Sequence, residues 1–187
     1  MTGGHRCWLA VLSVLATVGL VGCSSGTPVG ESRLPPRPSE LRLDQVDPCA
    51  LLTREQFRQL GVRAGERAED SDGLGSIACQ WRNFPKEPDI HYLARLIVKR
   101  GADYALDSTT PTQVVTIDGF SAVQTTSPDG SPNDHCLLLV DVAQGQSLWV
   151  QWMTTSPDYP GLTHELACQQ ARDAGRLMLS NLRELSR

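Results

Sequence analysis

Val115-Thr116-Ile117-Asp118-Gly119-Phe120-Ser121-Ala122-Val123-Gln124 sets apolar residues at every second position on both sides of an Asp-Gly pair. Alternation is the signature of a half-buried strand. Asp-Gly supplies the positive φ that a two-residue hairpin turn demands. The stretch therefore predicts an antiparallel hairpin, and the same pattern spreads outward from it. Ile77, Cys79 and Trp81 alternate with Ala78, Gln80 and Arg82, and Tyr92, Ala94, Leu96 and Val98 follow suit. Cys136, Leu138, Val140 and Val142 form a further run, which Gln144-Gly145 turns into Ser147-Leu148-Trp149-Val150-Gln151-Trp152-Met153.

Helical signals flank these strands. Asp47-Pro48 suits a helical turn with Asp as cap and Pro in first position. In Thr53-Arg54-Glu55-Gln56 the ends of a capping box satisfy each other's amides, Leu52 and Phe57 are placed as a hydrophobic staple, and Gly61 supplies a stop. From about Thr163, the residues Ala167, Ala171, Ala174, Met178, Leu182 and Leu185 fall on one stripe at helical spacing, with Cys168 and Gly175 near its edge. Gly175 weakens a helix interior by about 1 kcal/mol relative to Ala, and close approach of helix to strand is the expected reason for it. Strands between two helices with hairpin-length connections predict an α+β fold. The expectation is one small domain over residues 44–187, a mainly antiparallel sheet with a short N-terminal and a long C-terminal helix packed on it, held by two disulfides. There is no internal repeat and no glycine-rich phosphate loop.

The chain has 187 residues, with 20% charged and 40% hydrophobic, the balance of an ordinary globular protein. A formal charge of −4 gives no basic surface for phosphates, so nucleic acid is not an expected partner. Before the domain, Arg6 precedes an uncharged stretch from Cys7 to Gly22 that opens with Trp8-Leu9-Ala10-Val11-Leu12. Its apolar run of about 15 residues is shorter than a spanning helix needs. A charged start, a short apolar stretch and small residues before the break describe an export signal over residues 1–22. Leu20-Val21-Gly22-Cys23 resembles the bacterial lipobox, in which the cysteine thiol takes a diacylglyceryl group before cleavage. Two acyl chains on Cys23 meet the two-signal requirement for stable anchoring. The expected address is the extracytoplasmic face of the cell membrane. Residues 23–43, rich in Ser, Gly and Pro and including Pro35-Pro36-Arg37-Pro38, are expected to be a disordered tether.

With Cys7 lost and Cys23 lipidated, Cys49, Cys79, Cys136 and Cys168 remain in an oxidising compartment. Four cysteines allow three pairings. Cys49–Cys79 with Cys136–Cys168 is favoured, because each pair joins a helical segment to a strand within one half of the domain. Each closes a loop of roughly thirty residues, for which loop-closure entropy gives about 3–4 kcal/mol.

Asp47-Pro48-Cys49-Ala50-Leu51-Leu52-Thr53 resembles the Asp-Pro-Cys-x-Leu-Leu-Thr opening of actinobacterial lipoproteins known as domain of unknown function 3558. Ala78-Cys79-Gln80-Trp81 is similar to that family's Cys-x-Trp strand, and Cys136 and Cys168 fit its remaining cysteines. The resemblance covers the whole chain. It implies a lipid-anchored envelope protein of a GC-rich Gram-positive bacterium, and it transfers no active site.

Chemical constellations are sparse. His164-Glu165-Leu166-Ala167-Cys168 places two metal-ligand types on one helix face, but a cysteine in a disulfide has no thiolate to give, and no metal or cofactor is expected. Asp134-His135-Cys136 sets a cysteine beside a histidine, yet neighbours on a strand point to opposite faces. No Gly-x-Ser-x-Gly elbow exists, and no catalytic residue is assigned. Trp149 and Trp152 have opposite parity on one strand, so one of them meets the core and the other is a candidate binding face, rimmed by the loops Phe84 to Ile90 and Thr126 to Asp134. The expected function is a non-catalytic module binding a small or lipidic ligand or an envelope protein; the alternative is a hydrolase or transferase acting on cell-wall material.

Overall fold

A computed structural model describes residues 32–68, 76–125 and 134–187. The export signal, Cys23 and the tether as far as Glu31 lie outside the described residues, as do residues 126–133 of the second expected rim loop. Among the described residues, seven strands form one antiparallel sheet: β1 Glu66–Ala68, β2 Ile77–Arg82, β3 His91–Ile97, β4 Thr112–Ile117, β5 Phe120–Thr125, β6 His135–Ala143 and β7 Gln146–Met153. Their order is β1-β2-β3-β7-β6-β5-β4. Two helices accompany them, α1 Arg54–Gln59 and α2 His164–Leu185, with 3₁₀ turns at Pro48–Leu51 and Ala102–Asp107.

The local signals act as their chemistry requires. Asp118 and Gly119 both take positive φ, 50° and 86°, the twist-matched turn of a tight hairpin. The Thr53 side chain accepts from the Gln56 amide while the Gln56 side chain accepts from the Thr53 amide, closing the capping box. Asp47 accepts from the Cys49 amide at 3.0 Å to start the Pro48 turn. The Thr163 hydroxyl caps α2 by accepting from the Leu166 amide at 3.1 Å.

Helix α2 lies on β6 and β7 and closes the main core. Its Ala167, Ala171, Ala174, Met178 and Leu182 are fully buried against Leu138, Val140, Val150 and Trp152, while Leu185 at its end is exposed. The disulfides pair Cys49 with Cys79 and Cys136 with Cys168, at Cα separations of 5.1 Å and 4.9 Å. One ties the Pro48 turn to β2 and the other ties α2 to β6. Asn181 adds a polar link, donating to the Leu51 carbonyl at 2.9 Å and to Gln56 Oε1 at 2.6 Å.

Three expectations are corrected. The first is the tether. Residues 32–43 are not a loose spacer but a strap that wraps from one sheet face to the other. Leu34, Leu41 and Leu43 are buried. The Leu41 amide donates to the Val142 carbonyl at 2.8 Å, and the Leu43 amide to Gln146 Oε1 at 2.8 Å. Arg37 forms ion pairs with Glu40 at 2.6 Å and with the buried Asp141. The strap has no helical or strand period, so composition alone hides these long-range contacts. The second concerns Gly175: a Cβ there would lie 3.8 Å from Ile117 Cδ1 and 3.9 Å from Leu138 Cδ1, which is ordinary contact and no close approach. Gly65 is the glycine that the packing needs, since a Cβ on it would stand 2.5 Å from Cys79 Sγ and 2.6 Å from Trp81 Nε1. The third is Ile77, which stays exposed because α2 covers β6 and β7 rather than the start of β2.

These two glycines should respond in opposite directions. Gly175→Ala should raise stability by about 0.5–1 kcal/mol by narrowing the unfolded ensemble. Gly65→Ala should lower it by about 1–3 kcal/mol through overpacking against the disulfide. Urea unfolding of both variants measures the contrast.

Candidate functional site

Because successive residues of a strand face opposite ways, β6 and β7 build two different surfaces from one sequence. Cys136, Leu138 and Val140 of β6, with Leu148, Val150 and Trp152 of β7, enter the core beneath α2. His135, Leu137 and Leu139, with Trp149 and Gln151, project from the other face. Over that second face the Ala102–Asp107 turn forms a roof. Its Ala102 and Ala105 are buried with Leu34, Ile97, Val123 and Leu139 in a smaller apolar cluster. Between roof and strands lies a pocket of about 420 Å³, lined by Tyr104, Ala105, Asp107, Ser108, Thr110, His135, Leu137, Leu139, Trp149 and Gln151. That volume lies within the roughly 300–1,000 Å³ range of small-molecule sites.

Trp149 is half-buried at the pocket wall. The guanidinium of Arg95 lies 5.6 Å from its ring centroid, and its Nε1 donates to Gln151 Oε1 at 3.4 Å. The Asp107 carboxylate takes a forked hydrogen bond from Arg33 at 2.9 and 2.8 Å. That fork holds its carboxyl below the ordinary carboxylate range. The pocket's acid is thus already paired, and apolar walls dominate the rest of the lining.

Trp152 is corrected as a candidate for the binding face. It is fully buried, with its ring edge-on to Tyr159 at a centroid distance of 5.3 Å. The loop from Phe84 to Ile90 does not rim the Trp149 pocket either. It forms a separate recess with Arg58, Gly61, Val62 and Arg63, and Phe84 is exposed there. That loop is tied instead to the chain after β7, where Asp89 accepts from the Thr155 amide at 2.9 Å and the Ser156 hydroxyl at 2.8 Å.

Among the described residues no catalytic triad is assembled around His135. Its Nδ1 lies 2.5 Å from Asp134 Oδ1, an orienting pair, but no hydroxyl among the described residues hydrogen-bonds to the ring. Cys136 points to the opposite face and is tied up in the disulfide. Cys136, His164 and Cys168 do cluster, with ligand atoms all within 4.8 Å of one another and His164 Nε2 3.3 Å from Cys168 Sγ. With the two sulfurs bonded to each other, the cluster presents no thiolate to a metal.

Sequence reasoning missed the roof and its contribution of Tyr104, Asp107, Ser108 and Thr110. It also passed over Leu137 and Leu139, although their parity with Trp149 across the β6–β7 pair was available to find them. His91, at the start of β3, is half-buried. Burial, aided by the Arg82 guanidinium, pushes its imidazole down to about 4, and its buried Nε2 has no hydrogen-bond partner. The unfolded chain takes up a proton near pH 6.5 that the folded one refuses until about pH 4, so stability falls as pH falls through that window. His91→Gln should flatten the decline, as read from urea midpoints between pH 7 and 4.5.

No curated protein and no solved structure matches the chain. A family model does, over residues 18–181, a span that takes in every described element up to the last turn of α2. The chain belongs to the family described as Protein of unknown function (DUF3558).

Proposed function

We propose that this chain is an envelope protein held on the extracytoplasmic face of the cell membrane by a lipid on Cys23, and that it acts as a non-catalytic binding module. The observation that carries the binding role is the apolar pocket between the Ala102–Asp107 roof and Leu137, Leu139 and Trp149. A sheet face that only needed covering would be filled; this one keeps a concavity walled by a tryptophan. The paired Asp107 and the apolar walls fit an uncharged or amphipathic small molecule. The anchor reading rests on Leu20-Val21-Gly22-Cys23 and on two disulfides, which suit an oxidising compartment. Among the described residues no helix is long and apolar enough to cross a membrane. The rival reading, an envelope hydrolase or transferase, needs a nucleophile within reach of His135, and the neighbouring Cys136 is turned away from it.

Mass spectrometry tests both halves. The intact mature protein should begin at Cys23 and carry the diacylglyceryl mass; an unmodified Cys23 would contradict the anchor. An organic extract of the purified full-length protein should contain a small molecule that is depleted about tenfold in Leu137→Arg, the loss expected from about 1.4 kcal/mol of binding. Identical extracts from the two proteins would contradict the binding site.

A further inference from the structure

The strap changes how far this domain can stand from its anchor, and which side it shows. The chain is fastened from Arg33 onward. Arg33 forks onto Asp107 and also donates to the Asp103 carbonyl at 2.6 Å. Leu34 is buried beneath the roof with Ile97 and Leu139. Arg37 is paired with the buried Asp141, and the Gln144 amide donates to Glu40 at 2.8 Å. Only the span from Cys23 to Ser32 is left to reach the membrane. Those nine steps can span at most about 30 Å. That reach is short of the domain's own diameter, about 40 Å for a sphere with the radius of gyration expected at this size.

The point of fastening is also the pocket. Asp107, which holds Arg33, lines the cavity beside Trp149. The chain therefore leaves toward its anchor from the pocket side of the sheet, with α2 on the far side. The pocket's chemistry agrees with that position. Leu137, Leu139, Trp149 and Tyr104 offer apolar walls, and Ser108 and Gln151 can hydrogen-bond an ester oxygen. The one carboxylate in the lining is neutralised by Arg33.

We propose that the strap holds the Trp149 pocket against the membrane that carries Cys23, and that the pocket takes one acyl chain of a phospholipid from that membrane. This rests on the lipid anchor and the binding site proposed above. The occupant is a chain of the surrounding bilayer and not the protein's own lipid, because a short tether concentrates the pocket at a surface where bilayer chains are in large excess.

The test uses the full lipidated protein in phosphatidylcholine–phosphatidylglycerol vesicles, prepared with plain or with dibrominated acyl chains. Bromine quenches only indole that it touches. Wild-type emission should be lower in brominated than in plain vesicles. Trp149→Phe should lose that difference entirely, since Trp81 and Trp152 are buried on the other face. Inserting about twenty Gly-Ser residues between Cys23 and Ser32 should reduce the quenching by at least about half, as the local concentration falls. Equal emission from the two vesicle types, with the protein bound to both, would overturn the inference. So would quenching that survives in Trp149→Phe. The organic extract keeps the two readings apart. A non-lipid species depleted in Leu137→Arg would leave the pocket standing as a binding site and remove the acyl chain from it. A protein that fails to associate with vesicles would remove the anchor and this inference with it.

Discussion

The pairing of β6 with β7 is the constraint on which the rest of this molecule depends. Their register sets Cys136 opposite Trp152 and His135 opposite Met153 across a two-residue Gln144-Gly145 turn. A slip of one residue by β6 against β7 would turn Cys136 away from Cys168 and bring His135 and Leu137 to the face beneath α2. Two features hold the register. The turn fixes one end, with an irregularity between Asp141 and Ala143 taking up the mismatch. The Cys136–Cys168 bond fixes the other end by joining β6 to α2. Closing a loop of roughly thirty residues contributes about 3–4 kcal/mol, a substantial share of the stability of a domain this size. Packing of α2 and opening of the opposite face are two results of the same alternation.

What was readable in the sequence was local or periodic. The Thr53–Gln56 capping box needs only residues three apart, the Asp118-Gly119 turn only neighbours, and the α2 stripe only a repeat of three and four. The disulfides followed because each joins a helical segment to a strand within one half of the domain. The strap was invisible for the opposite reason. Leu34, Leu41 and Leu43 sit among prolines and charges with no period, and Arg37 finds Asp141 across 104 residues. The pocket was half legible: the parity of Trp149 pointed to a second face, but its roof is a 3₁₀ turn too short to carry a repeat. Trp149 and Trp152 were indistinguishable without knowing which face α2 covers.

The strap joins the two proposals about function. A loose tether would let the domain sample any orientation, and the position of a pocket on it would carry no information. With the anchor proposed on Cys23, a chain fastened at Arg33 and Asp107 would make the position of the pocket part of the anchoring geometry. The lining then reads as a surface suited to what a membrane supplies. Apolar walls dominate, the carboxylate is paired within the protein, and His135 is oriented by Asp134.

The two faces of β7 are physically different, one packed under α2 and one lining the pocket. Thermal unfolding of Trp152→Ala and Trp149→Ala, compared under one condition, measures that difference directly. Trp152→Ala should lose about 3–5 kcal/mol through lost burial and the cavity left behind. Trp149→Ala, half-buried at a pocket wall, should lose about 1 kcal/mol, the level of an ordinary substitution. Severe and equal destabilisation by both would mean that the second face is simply packed, and the binding surface described for it would not exist.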